Sequence, residues 1–252
     1  MRIHNAVIGW GEGARRPGAP AQHVLPYPAG YVGVREGSVL SAADSFRITL
    51  FGRGGHGSMP QATEDPVVLA AMCVIRLQTI VSREIAATTP AVVTVGKIAA
   101  GTGPTIMPDT ATVELNVRTY DEQTRTRVLD AIRRCVDAEA VASGSPRAPL
   151  IERLTEFPPT VNDAEVVRRL RSAFAARFGD DLHTLDLQTA SEDFSRIPDA
   201  WGTPYAYWGV GGTDPAAYAE AEERGTVGQD IPVNHSPPPG SRPSSSRRST
   251  RR

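Results

Sequence analysis

The sequence predicts a mixed α/β chain whose centre is an α+β two-layer sandwich of ferredoxin-like βαββαβ order. Three observations carry that expectation. Phe46, Ile48 and Leu50 alternate with Arg47 and Thr49, and Ala111, Val113, Leu115 and Val117 alternate with Thr112, Glu114, Asn116 and Arg118. This period of two marks half-buried strands. A β-branched run over 91–98 and an extended segment over 149–157 supply two further strands. Two stretches of helical periodicity separate these strands, so that one βαββαβ unit fills residues 45–157.

Each element has local reasons. Asp65 can cap the first helix, and Pro66 suits its first turn, where a missing N–H costs nothing. Its apolar stripe is read as Val67, Ala70, Ala71, Val74, Leu77 and Val81. Residues 99–110, with two Gly and two Pro, are expected to form a long hairpin loop. The second helix opens at Asp121, presents Val128, Ile132, Cys135 and Val136, and stops before Ser143 and Gly144. A third helix follows, with Asn162 and Glu165 as its capping pair, Val166, Val167, Leu170, Phe174 and Phe178 on its apolar face, and Gly179 at its stop. Residues 1–20 show little periodicity, and 237–252 are dominated by Pro, Ser and Arg; both are expected to be disordered.

Composition narrows the function. The chain has 252 residues, 40% apolar and 22% charged, which suits a soluble globular protein. No apolar run approaches the roughly 18–20 residues of a membrane span, and no secretory h-region opens the chain, so a cytoplasmic location is expected. The net charge of −1 hides an imbalance: five arginines and no acid lie in residues 240–252, which leaves 22 basic against 28 acidic residues in the rest. An acidic body argues against a nucleic-acid surface spread over the fold. Lys97 is the one lysine, a bias that points to GC-rich coding DNA. Cys73 and Cys135 fall within helical patterns and are read as small buried hydrophobes.

Gly52, Gly54 and Gly57 match a dinucleotide-binding G-x-G-x-x-G, yet Pro60 and Pro66 delay the helix that would have to meet the pyrophosphate. No G-x-S-x-G elbow is present either. What stands out instead is three histidines in Gly- or Pro-flanked loops: His23 in Gln22-His23-Val24-Leu25-Pro26, His56 in Gly54-Gly55-His56-Gly57, and His235 in Asn234-His235-Ser236-Pro237.

With the ordered segments Pro28-Ala29-Gly30, Gly33-Val34-Arg35, Ile106-Met107-Pro108-Asp109, Asn116-Val117-Arg118 and Ser191-Glu192-Asp193-Phe194, residues 23–237 resemble the metal-dependent amidohydrolases of the aminoacylase, hippurate hydrolase and auxin-conjugate hydrolase family. The resemblance implies a lid and dimerisation domain inserted into an α/β metallohydrolase catalytic domain. On that view, residues 21–44 and 158–236 are parts of the catalytic domain. It also implies a homodimer, a zinc-class divalent ion or manganese bound in part by His23 and His235, and hydrolysis of N-acyl amino acids or similar small amides. His56 would donate a hydrogen bond to the oxyanion in the partner subunit's site. Arg118, with Asn116 beside it, would hold the substrate carboxylate, and Glu192 and Asp193 would shape the site wall or support a ligand.

Three departures qualify the expectation. Upstream of His23 there is one acid, Glu12, and no cysteine, so the family's Cys-Gly-His and Glu-Glu motifs are missing. Thr105 stands where the family has asparagine, and the Arg-rich tail replaces an apolar segment. The chain is therefore expected to be a fragment of a longer gene product without useful turnover. The rival reading is a dimerisation or carboxylate-binding module without chemistry; a nucleic-acid arm in the tail is the least favoured.

Overall fold

The protein is described by a computed structural model covering residues 18–234 and the backbone of residues 5–6. The expected disordered tail and His235 lie outside the described residues. The first strands are β1 (Asn5–Ala6), β2 (Ala19–Pro28), β3 (Val32–Val34), β4 (Gly37–Leu40), β5 (Ala42–Phe51) and β6 (Gly55–His56). They are followed by β7 (Ala91–Ala100), β8 (Ile106–Met107), β9 (Thr110–Thr119), β10 (Leu150–Phe157), β11 (Thr160–Asn162), β12 (Leu182–Thr184) and β13 (Tyr205–Thr213). The principal helices are α1 (Pro66–Thr79), α2 (Glu122–Ala142), α3 (Ala164–Phe178), α4 (Arg196–Ala200) and α5 (Pro215–Glu223).

The chain divides into two compact units. The sandwich unit comprises residues 38–161 and 187–201; residues 1–37, 162–186 and 202–252 form the other. The first boundary thus falls at 37/38 rather than at the expected 44/45. Residues 187–201 also join the sandwich unit, for a visible reason. The Gln188 amide donates to the Val39 carbonyl at 2.9 Å, the Ser41 amide to the Ala190 carbonyl at 3.0 Å, and the Tyr120 hydroxyl to the Gln188 carbonyl at 3.2 Å. No periodicity announces such stitching.

The sandwich sheet runs β10-β5-β9-β7, antiparallel throughout. In chain order this is 4-1-3-2, the arrangement expected of a βαββαβ unit. The alternation of β9 decides its faces: Ala111, Val113, Leu115 and Val117 are at most 3% exposed and meet the helices. Each fully buried side chain of this kind contributes on the order of 1.5–3 kcal/mol. From α2 the expected Val128, Ile132, Cys135 and Val136 enter the same core.

Helix α1 is capped as expected, with the Asp65 carboxylate accepting from the Val67 and Val68 amides. Its buried stripe differs, however: Leu69, Ala70, Cys73 and Leu77 face the core together with Ile80, whereas Val67 is 43% exposed. The helix is apolar on more than one side, so periodicity alone could not choose the inward face. A π-helical turn, Ile80–Glu84, extends it. Pro66–Glu84 is then 19 residues long, long and apolar enough to cross a membrane by length and composition. This corrects the reading that no such run exists; Leu69, Ala70, Cys73, Leu77 and Ile80 of the run are buried in the sandwich core.

Residues 99–110 are not simply a loop. Strand β7 continues to Ala100, and Ile106 and Met107 form β8 against β6.

One charged residue sits in the core face of β5. Asp44 is fully buried and accepts two hydrogen bonds from Arg125 of α2, Nε to Oδ2 at 2.7 Å and Nη2 to Oδ1 at 2.8 Å. Arg125 also reaches Glu122 at 3.1 Å and Glu156 of β10 at 2.7 Å. The Arg125 hydrogen bond is the first cause that holds the Glu156 carboxyl below its ordinary value.

In the second unit the sheet order is β1-β2-β13-β3-β12. Residues 5–6, within a segment expected to lack structure, pair with β2. Strand β13 runs parallel to β2 and antiparallel to β3. Helix α3 packs Val166 and Val167 against Val32, Val34 and Ala206, with Phe174 edge-on to Trp208 at 5.5 Å. The cap of α3 is Asp163, which accepts from the Val166 amide at 2.9 Å, not the expected Asn162. Asn162 is taken by tertiary bonds: its amide donates to the Arg35 and Tyr207 carbonyls and accepts from the Tyr207 amide. Glu165 pairs with Arg168 and Arg169 instead of completing a capping box.

Asp44→Ala leaves the Arg125 guanidinium buried without its main partner and is expected to cost about 3–5 kcal/mol in urea unfolding. A loss below about 1 kcal/mol would show the pair to be dispensable. Because the folded pKa of Glu156 is depressed, its contribution is present above the unfolded value and fades as pH falls below about 4.5. Glu156→Gln should remove that part of the acid dependence.

Candidate functional site

His56 ends the short strand β6 and is exposed. The loop that carries it is clamped onto the 105–109 segment: the Gly52 amide donates to the Asp109 carbonyl at 2.8 Å and the Gly57 amide to the Thr105 carbonyl at 2.9 Å. The Asp109 carboxylate accepts from the Gly54 amide at 2.9 Å. A Cβ on Gly54 would meet the Met107 carbonyl at 2.8 Å, so this close approach requires glycine. The glycines that mimic a nucleotide motif therefore shape the ribbon that presents His56.

The ring of His56 has a defined tautomer. The Ser58 amide donates to Nδ1 at 3.2 Å, and the Ser58 hydroxyl lies 2.7 Å from the same nitrogen. A backbone N–H can only donate, so Nδ1 accepts and the proton of the neutral ring sits on Nε2. His56 thus presents an N–H donor.

His23, in β2 of the other unit, has the opposite arrangement. Its Nδ1 lies 2.6 Å from the Val24 carbonyl, which can only accept, so the proton sits on Nδ1 and the lone pair on Nε2. Asn234 is brought alongside, donating to the same carbonyl at 3.0 Å and lying 3.5 Å from the ring nitrogen. An imidazole held by a carbonyl on Nδ1 is the form that ligates a metal through Nε2. Among the described residues, however, no three His, Cys, Asp or Glu side chains cluster to hold an ion. One imidazole alone does not make a site for a zinc-class ion, which takes about three or four protein ligands. Glu192, partly buried, and Asp193, exposed, lie in the turn that leads into α4.

Arg118 lies on the polar face of the sandwich sheet, as its alternation predicts. Nε donates to Asn116 Oδ1 at 2.7 Å; Nη1 donates to Ser191 Oγ at 2.9 Å and to the Thr189 carbonyl at 3.3 Å. Asn116 Nδ2 in turn donates to Ser45 Oγ at 3.0 Å and more weakly to the Asp44 carbonyl at 3.4 Å. Across the same face Arg47 and Lys97 converge on Glu114 at 2.9 and 3.3 Å, and hydrogen bonds from Arg47 and then Lys97 hold its carboxyl below the usual range. Ser45 and Ser58 carry no sequence signal as site residues, whereas Asn234 lies in the motif of His235. Only strand register places Ser45 opposite Asn116, and only the folded ribbon turns Ser58 back onto His56.

Residues 40–143 match the peptidase dimerisation domain of the M20 class. The chain therefore carries that domain, and it is similar in sequence to curated deacetylases and hydrolases. It is 31% identical over 187 residues to the N-acetylcysteine deacetylase of Bacillus subtilis, covering 74% of this chain and 48% of that protein. It is also 31% identical to the hippurate hydrolase of Campylobacter jejuni, covering 69% of this chain and 45% of that protein. A Bacillus subtilis crystal structure described as a dinuclear metal-binding peptidase of the M20 family shares the fold with a TM-score of 0.62 at 24% identity, covering 82% of this chain and 55% of the other. The chain spans about half the length of the curated relatives it matches.

Long-range nitrogen–proton spectra at about pH 8, where imidazoles are neutral, should show His56 protonated on Nε2 and His23 on Nδ1. The reverse pattern would deny His56 a role as an Nε2–H donor, or His23 a role as an Nε2 ligand.

Proposed function

We propose that this chain belongs to a metal-dependent amidohydrolase that cleaves the amide bond of N-acyl amino acids or similar small amides, and that it contributes the substrate-holding half of that activity. The observation that carries this reading is Arg118. Its guanidinium is held on the polar sheet face by Asn116 on one side and Ser191 on the other, the placement a carboxylate ligand needs. His56 supports it, since an Nε2–H donor on an exposed ribbon suits an oxyanion in a partner subunit's site; losing such a donor typically costs about 10²- to 10³-fold in rate. His23, with its lone pair on Nε2, is a ligand for zinc or manganese, with His235 as a second ligand on the strength of the family resemblance.

Self-association has its own support. Strand β7 is an edge of the sandwich sheet, and beside it α1 leaves Val68 57% and Ile75 63% exposed, with Ile98 of β7 at 52%. An edge strand flanked by exposed apolar side chains is a template for pairing with a second copy. A homodimer joined there would bring His56 to its partner.

Hippurate should bind the chain with a carboxylate-dependent affinity that Arg118→Ala weakens by at least about tenfold, the worth of one hydrogen-bonded charge, while hippuramide binding is unchanged. Equal binding of hippurate by both proteins would sink the reading. With zinc or manganese added, the 252-residue chain should hydrolyse hippurate at no measurable rate. Sedimentation should show a dimer that Ile75→Glu with Ile98→Glu converts to a monomer; a wild-type monomer at about 100 μM would exclude pairing through this face.

A further inference from the structure

The guanidinium of Arg118 carries five N–H donors. Nε–H is bound by Asn116, and Nη1 donates to both Ser191 and Thr189. Among the described residues Nη2 donates to nothing. Asn116 cannot swing to follow a ligand either, because its Nδ2 is held by Ser45 Oγ at 3.0 Å. Ser45 and Asn116 are cross-strand partners on β5 and β9, and Arg118 follows two residues along β9, so all three share the polar face. From the other side Ser191 and Thr189 arrive on the segment stitched to Ser41, the residue just before β5.

We infer that Ser45 and Asn116 are positioning residues. They form a hydrogen-bonded tether that fixes the roll of the Arg118 guanidinium, so that Nη2 is the corner offered to a ligand carboxylate. The inference rests on Arg118 being the carboxylate ligand. Asn116 therefore acts through Arg118 and does not itself bind substrate. An arginine on a strand otherwise has several rotatable bonds and can offer any edge; holding it in advance removes the entropy that binding would have to spend on ordering it. It also sets the contact as a single corner, whereas an untethered guanidinium would offer a two-pronged fork.

The tether has a readout of its own in the Nε–H resonance of Arg118, assigned by its loss in Arg118→Lys. In the wild-type chain this proton should exchange with water more slowly than those of exposed arginines. Ser45→Ala and Asn116→Ala should each speed it by about fivefold or more, the worth of one net hydrogen bond, and Ser45→Thr, which keeps the hydroxyl, should restore it. Hippurate affinity should fall by about the same factor in Ser45→Ala and recover in Ser45→Thr, with the thermal midpoint reporting whether the fold is intact. The inference is overturned if the Nε–H exchange in Ser45→Ala or in Asn116→Ala is the same as in the wild type. It is equally overturned if hippurate affinity stays within about twofold in Ser45→Ala and Asn116→Ala while Arg118→Ala abolishes it. If Arg118→Ala itself binds hippurate normally, the carboxylate reading fails instead, and the exchange rates alone decide whether the tether exists.

Discussion

Everything positioned in the sandwich unit depends on the buried pairing of Asp44 with Arg125. A carboxylate with no solvent exposure is tolerable only when its charge is matched and its lone pairs are used, and the two-point contact from Arg125 does both. Because Arg125 comes from α2 and also reaches Glu156 of β10, one charge cluster locks a central strand, an edge strand and a helix in a single register. A one-residue slip of β5 would expose Asp44's partner and turn Phe46, Ile48 and Leu50 away from the core.

The same strand couples the core to the site by alternation alone. Asp44 points into the helix layer, and the next residue, Ser45, points to the opposite face, where it meets Asn116 and through it Arg118. The apolar residues of β9 and the polar residues between them repeat this division. The ion pair and the Ser45–Asn116–Arg118 hydrogen bonds thus use consecutive residues of the same strand, and the register that the first enforces is the register that the second needs.

That division explains how far the sequence could be read. The βαββαβ order, the faces of β9 and α2 and the cap at Asp65 were legible because each depends on residues within a few positions of one another. The inward face of α1 was not, since valines and leucines on different sides offer periodicity no contrast. Nor was the β6–β8 pairing, whose clamps run between residues about fifty positions apart. Among the candidate residues, His23 and His56 stood out in the sequence by their flanking residues and Arg118 by its strand phase. The proton positions on the two rings and the orientation of the Arg118 guanidinium are set by hydrogen bonds that no sequence periodicity encodes. The segmentation at 37/38 and the return of 187–201 to the sandwich unit were hidden for the same reason.

Cys73 and Cys135 are the chain's two thiols, on α1 and α2, and they are 1% and 4% exposed. Burial pushes Cys73 up to about 12 and raises Cys135 as well, so neither is a thiolate near neutral pH. Both lie within the sandwich unit. A thiol-directed alkylating reagent is therefore silent towards the folded sandwich, and its labelling rate is a clock for that unit's opening alone, whatever the other unit is doing.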